Sequence, residues 1–230
     1  MAAQKNKKND AAFWIVLAVV SYLITAAMAY MFIVSELSGH IFMTEQFLTY
    51  GILIGGAAFV GTVFLLAGTS QKKRPRAARF AMTVLFAVYL IILAGLLFGG
   101  SRAWYAGRTD RKYSLKPFES IRLFLDAYDT RKLRIRVVAA NLIGNVLLFA
   151  PMAWFVPFLY KWARKWYLFL PAMLLLICLV EVTQYLTGRG SLDIDDVILN
   201  FPGVLITYVI LWNPLMVKLW KNTKLIEKNR

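Results

Sequence analysis

The chain has one cysteine, Cys178, and one histidine, His40, in 230 residues. A lone cysteine excludes a disulfide framework within one chain, and its place inside an apolar run reads as a small packing residue. Too few Cys and His are present for a zinc site of the usual spacing. No nucleophile elbow and no glycine-rich phosphate loop appears either. Acidic residues are scarce, 12 against 27 Lys and Arg. No polar stretch between the apolar runs is long enough for a soluble domain of useful size.

What the chain has is apolar length. Hydrophobic residues make up 60% of it, which places it among polytopic membrane proteins. The pattern predicts an all-α fold, a bundle of about six transmembrane helices. The expected spans are Ala11–Val34, Phe47–Ala67, Phe80–Phe98, Val137–Tyr160, Trp166–Leu186 and roughly Asp196–Val217. The first run is too long for a signal-peptide core and reads as a retained helix behind a short basic arm with Lys5, Lys7 and Lys8. Gly51, Gly55, Gly56 and Gly61 predict close packing of the second span, and Pro151 and Pro157 predict a kink in the fourth. Placing the N-terminus inside gives the inner segments 1–10, 71–79, 161–165 and 218–230 together 16 Lys and Arg against two acids. That bias predicts a multi-pass plasma-membrane protein with both termini cytoplasmic. Tyr160, Trp162, Trp166 and Tyr167 then form an inner aromatic belt. The basic 99–136 loop is the exception, with ten basic and four acidic residues on the outer side.

The chain is organised around Glu181 to Gly203. Polar side chains are costly at membrane depth, so a cluster of them there is a functional-site hypothesis. Glu181, Gln184, Tyr185 and Gly188 share one helix face, and Asp193, Asp196, Asn200 and Gly203 share another. Between them, Gly188 and Gly190 permit positive φ in a tight, extracytoplasmic turn. Asp195 and Arg189 lie at this turn, where little packing is expected. In the fourth span Asn141 and Asn145 share a face. By helical rise they sit about 6 and 12 Å below the outer end of their helix, with Glu181 and Asn200 at about 9 and 10 Å. The fourth, fifth and sixth helices are therefore expected to be mutual neighbours, with Glu181 close to an asparagine.

The 99–136 loop contains Lys116–Asp129, in which Phe118, Ile121, Leu125 and Tyr128 fall on one helical face. This is the pattern of an amphipathic interfacial helix, either covering the bundle or presenting Arg122 to anionic headgroups or a phosphate. Arg131 to Arg136 anchors the fourth helix at headgroup level.

These residues carry a resemblance. K-P-F-E-S-I, N-L-I-G-N-V-L-L-F-A-P, E-V-T-Q and R-G-S-L-D-I-D-D-V-I-L-N-F-P-G, in that order, resemble the VanZ-like family of membrane proteins over about residues 80–212. The resemblance implies that Pro117, Asn141, Asn145, Pro151, Glu181, Gln184, Arg189, Asp193, Asp195, Asp196, Asn200 and Gly203 are motif positions. It divides the chain into an N-terminal two-helix addition (1–79), a VanZ-like membrane domain (80–217) and a basic cytoplasmic tail (218–230). Ser114 stands where the family commonly has asparagine. The family is named for a member linked to low-level teicoplanin resistance, and the resemblance supplies no biochemical activity. Ser38–Gly39–His40 is also similar to the Ser-Gly-His of lipid-phosphate phosphatases, but their chemistry needs a second histidine.

Three readings follow for the cluster of Asn141, Asn145, Glu181, Gln184, Arg189, Asp193, Asp195, Asp196 and Asn200, with Arg122. It can bind or modify an anionic amphiphile, either a lipid-linked cell-wall precursor or the lipoglycopeptide itself, in an outward-facing polar cavity. It can hold Mg²⁺ or Ca²⁺ through Glu181, Asp193 and Asp196 and act as a metal-assisted enzyme, although no cofactor is firmly implied. Or the polar groups can be structural, with Ser191 or Asp193 capping the sixth helix, Asp195 and Asp196 favouring its dipole, and Arg189 pairing with one of them. The lipid bilayer is the expected environment, and no nucleic-acid partner is expected.

Overall fold

The computed structural model describes residues 2–37, 44–98, 113–130, 135–223 and 225–226. Ser38–His40 and the Arg131–Arg134 part of the basic run lie outside the described residues. In chain order the elements are α1 (Ala2–Leu37), α2 (Thr44–Gly68), α3 (Arg74–Phe98), β1 (Tyr113–Ser114), α4 (Glu119–Asp129), α5 (Ile135–Leu148) and α6 (Met152–Leu159). A 3₁₀ turn (Lys161–Arg164), α7 (Trp166–Thr187), β2 (Leu192–Asp193), α8 (Ile194–Leu211) and α9 (Pro214–Asn222) follow. Among the described residues, six helical stretches are long and apolar enough to cross a membrane: Asp10–Ser35, Thr49–Gly68, Arg74–Phe98, Asn141–Leu159, Trp166–Thr187 and Ile194–Leu211. Helix is what an apolar environment demands, because every backbone N–H and C=O must be satisfied within the segment. The fold is an all-α, multi-pass membrane protein.

Two compact units divide the chain, Met1–Gly100 with Lys218–Arg230, and Ser101–Val217. In the first, α1 packs along α2, and α2 along α3. Its core gathers Ala29, Phe32, Ile54, Ala58 and Val88. The Tyr22 hydroxyl meets Thr62 Oγ1 at 3.1 Å, so two polar groups inside the helix pair satisfy each other. Gly61 lies against Tyr22, where an added Cβ would come within 3.1 Å of the ring. Gly55 and Gly56 face open space, so the packing role expected for them does not hold.

The second unit carries the polar cluster. Its fourth span is two helices rather than one kinked helix. Phe149 and Ala150 leave the α geometry ahead of Pro151, because proline disfavours helical backbone in the residue before it. Tight turns then restart the helix, Met152 N–H to Phe149 O and Ala153 N–H to Ala150 O, both 3.0 Å. Pro157 lies inside α6 and cannot donate to Ala153. The orphaned Ala153 carbonyl instead accepts the Trp212 indole N–H at 2.8 Å. At the end of α6, Arg164 donates through Nε to Pro157 O (3.0 Å) and through Nη2 to Phe158 O (3.4 Å). Its guanidinium lies 5.5 Å from the Trp212 ring centroid. Arg164 is thus a helix-end cap as well as a charge between Trp162 and Trp166, both of them exposed.

The sixth span also differs from its expected bounds. It begins two residues earlier, at Ile194, and stops at Leu211. Asn213 then caps α9, its Oδ1 accepting Leu215 N–H and Met216 N–H at 3.0 Å each. Asn-Pro is a strong restart signal, with the asparagine as cap and Pro214 in the first helical turn.

α8 is the centre of this unit, packing on α5, α6 and α7. Its closest approach is at Gly203, where an added Cβ would fall 1.7 Å from the Val146 carbonyl oxygen of α5. The obstacle is backbone, which cannot rotate away. Gly203→Ala is expected to force α5 and α8 apart at a cost of about 1–3 kcal/mol or more. Thermal unfolding in detergent should show a clearly lowered midpoint, whereas Gly144→Ala, at an open site on α5, should not. Equal midpoints would refute the close contact.

Candidate functional site

The turn after α7 is built by Gly188, in the left-handed region at φ 67°. Its N–H and that of Arg189 close on the Tyr185 and Gln184 carbonyls at 3.2 and 2.9 Å, ending the helix. Gly190 has no positive φ. Its need is space, since an added Cβ would lie 3.1 Å from Gln184 Cβ. The chain then enters β2, which pairs in parallel with β1, Tyr113 opposite Leu192 and Ser114 opposite Asp193.

Asp193 is the N-cap of α8, its Oδ1 accepting Asp195 N–H at 2.9 Å. Its other oxygen accepts the Ser120 hydroxyl, which belongs to α4. Asp195 goes further. Its Oδ1 accepts Phe118 N–H and its Oδ2 accepts Ile121 N–H at 3.0 Å. Phe118 is the N-cap of α4, so one carboxylate from another helix satisfies two of the four unpaired N–H groups at that helix's start. Asp195 is 1% exposed. The expectation of a loosely packed turn fails here, because α4 covers it.

Lower in α8, the Asn145 amide donates to Asp196 Oδ1, tying α5 to α8. Asn200 donates through Nδ2 to the Asp196 carbonyl at 2.7 Å, and its buried Oδ1 has no hydrogen-bond partner among the described residues. Glu181 is 3% exposed, and its Oε2 accepts Asp193 N–H at 3.4 Å. Asn145 thus bonds Asp196, while Glu181 takes its bond from the Asp193 N–H. The first turn of α8 reaches α5 directly, while Glu181 on α7 meets the strand that enters α8.

The structure thus builds a network of two hydrogen-bonded halves, Glu181 with Asp193 and Asp195, and Asn145 with Asp196 and Asn200, joined through the chain at Asp195–Asp196. Gln184 and Arg189 are half-buried at the turn beside it, and Asn141 and Arg122 are exposed on α5 and α4. The amphipathic helix is present but starts at Glu119. Lys116 to Phe118 form a turn instead, with Glu119 N–H on Lys116 O at 3.3 Å and Ser114 Oγ on Glu119 Oε2 at 2.9 Å. Ser120 and the backbone of Phe118 and Ile121 are the partners that residue-type reasoning missed. Ser120 offered one signal, a short polar side chain in the first turn of an amphipathic helix.

Among the described residues, no three or more His, Cys, Asp or Glu side chains are grouped to hold a metal ion. The bonding explains this for Asp193 and Asp195, whose oxygens already accept N–H or O–H donors. Glu181, Asp193 and Asp196, expected as Mg²⁺ or Ca²⁺ ligands, are not grouped around one centre.

Removing the amide from Asp196 tests the deeper half of the network. Asn145→Ala is expected to cost about 1–3 kcal/mol, the penalty for a buried acceptor left unpaired. Asn145→Asp should cost more, since it sets two carboxyl groups face to face. Unfolding midpoints in detergent read both, and a harmless Asn145→Asp would contradict the contact.

No curated protein and no solved structure matches the chain. A family model described as VanZ/LLP1 matches residues 86–218. The match contains β1, β2, α4 to α8 and every member of the carboxylate and asparagine network. It covers more than half of the 230 residues, and the chain belongs to the VanZ/LLP1 family.

Proposed function

We propose that this membrane protein acts in the bacterial cell envelope, lowering susceptibility to lipoglycopeptides of the teicoplanin type by binding an anionic amphiphile. The ligand class is a lipid-linked wall precursor or the lipoglycopeptide itself, each an anionic head joined to a hydrocarbon tail. One observation supports this reading above the others. The Asp195 carboxylate pins the start of α4, a helix that exposes Arg122 and, one turn on, Leu125. A guanidinium beside an exposed aliphatic side chain suits an anionic head joined to a hydrocarbon chain. The buried carboxylates would repel such a head, so their part is to position α4 rather than to touch the ligand. Their full engagement also favours a purely structural reading, and Arg122 separates the two. Expressing the protein should raise resistance to teicoplanin and leave vancomycin unchanged. Arg122→Glu should abolish the difference at an unchanged protein level, and the binding reading fails if it has no effect.

We further propose that both termini are cytoplasmic and that the 99–136 loop and the Thr187–Asp195 turn are extracytoplasmic. The support is the 16-to-2 excess of basic over acidic residues in the opposite segments. Ser114→Cys and Ser191→Cys, each in a Cys178→Ala background, should react with an impermeant thiol reagent in intact cells. Labelling of both only after cell lysis would reverse the topology.

A further inference from the structure

We propose that α4 is a latched strap, held over the carboxylates chiefly by polar bonds at its N-terminus and able to swing away from them. Helices normally dock by burying an apolar face. α4 buries none of its residues. Phe118, Leu123, Leu125 and Tyr128 are all exposed, and Ile121, Phe124 and Ala127 are only half-buried. What holds its start is polar: two backbone N–H groups on Asp195, the Ser120 hydroxyl on Asp193, and the two-residue pairing of β1 with β2. A chain of bonds runs inward from the latch, Ser120 to Asp193 and Asp193 N–H to Glu181. Release would therefore bring water to Asp193, Asp195 and Glu181 together.

The latch also holds a strained residue. Phe118 has φ 65° and ψ 10°, the left-handed region that a side-chain-bearing aromatic avoids. Among the described residues, Phe118 is the only non-glycine with positive φ. It stands at the point where Asp195 grips the chain. Strain of this kind persists only while surrounding bonds enforce it, and it favours the released state. Carboxylate burial pushes the same way, since released carboxylates regain water. Hydrogen bonds from the starting turn of α4 oppose both. Docked and released states are thereby balanced by a few polar contacts, with no fully buried apolar residue on α4 to decide the matter. This inference deepens the amphiphile-binding reading on which it rests, because the strap carries Arg122 and its movement would move the ligand-binding side chain.

Spin labels at Leu123→Cys on α4 and Leu186→Cys on α7, in a Cys178→Ala background, measure the strap in lipid nanodiscs without any ligand. Pulsed dipolar distances should show two populations, one at the docked separation and one longer. Asp195→Ala should move most of the population to the longer distance. Asp195→Asn, which keeps one acceptor oxygen, should move it part way, and carries the test if the alanine variant is not recovered folded. Phe118→Gly should act in the opposite sense and remove the longer population, because glycine accepts the backbone angles without strain. A single distance unchanged across all these variants would overturn the strap. That result would leave the antibiotic-susceptibility test untouched, since it reads Arg122 rather than motion.

Discussion

Two helix N-termini converge on the carboxylates of Asp193 and Asp195. Asp193 and Asp195 stand at the start of α8, and both also receive donors from the start of α4. Each helix end carries unpaired N–H groups and the positive end of a dipole, the environment in which a buried carboxylate is least costly. A carboxylate at the edge of an apolar bundle is otherwise expensive. The helix starts and the aspartates thus solve each other's problem. The same pairing orders the interfacial helix, aligns β1 with β2, and places Asp193 N–H against Glu181. Remove it, and the amphipathic helix has no remaining reason to start where it does.

A second set of polar contacts operates at the other end of α8. Pro157 frees the Ala153 carbonyl and Trp212 takes it, while Arg164 closes the last carbonyls of α6. Tyr208 adds a bond from its hydroxyl to Arg164 O at 2.7 Å and stacks on Phe169 at 5.0 Å. Here proline creates unpaired acceptors and nearby donors satisfy them. At the aspartate end, helix starts create unpaired donors and carboxylates satisfy them. The unit is therefore tied at both ends of α8 by groups that an uninterrupted helix would not need.

Much of this was legible from residue order. Apolar length gives the six spans, and the polar spacing in Glu181 to Gly203 marks the cluster before any contact is seen. Asp193 as a cap, Gly188 as a left-handed helix end and Gly203 as a close approach are all local properties that follow from residue type. The Asp195 contact is not local. It spans 77 residues to reach Phe118, and its partners there are backbone N–H groups, which every residue but proline possesses. No side-chain pattern could single them out. Depth along a helix was likewise readable and direction was not. Rise per residue places Asn145 and Glu181 at one level, yet which carboxylate the amide meets depends on how helices turn about their axes. The helix break at Pro151 and the cap at Asn213 are signals that hydropathy alone smooths over.

That question of rotation is where the contact at Gly203 matters most. Gly203 lies seven residues, two helical turns, beyond Asp196, so both project from one side of α8 toward α5. Only a glycine lets the Val146 carbonyl approach so closely, and each residue along an α-helix turns about 100°. α8 can therefore seat on α5 at one angular setting: a slip of a single residue would bring a side chain onto Val146 and carry Asp196 away from Asn145. The glycine acts as a phase mark, timing the three aspartates above it to their separate partners.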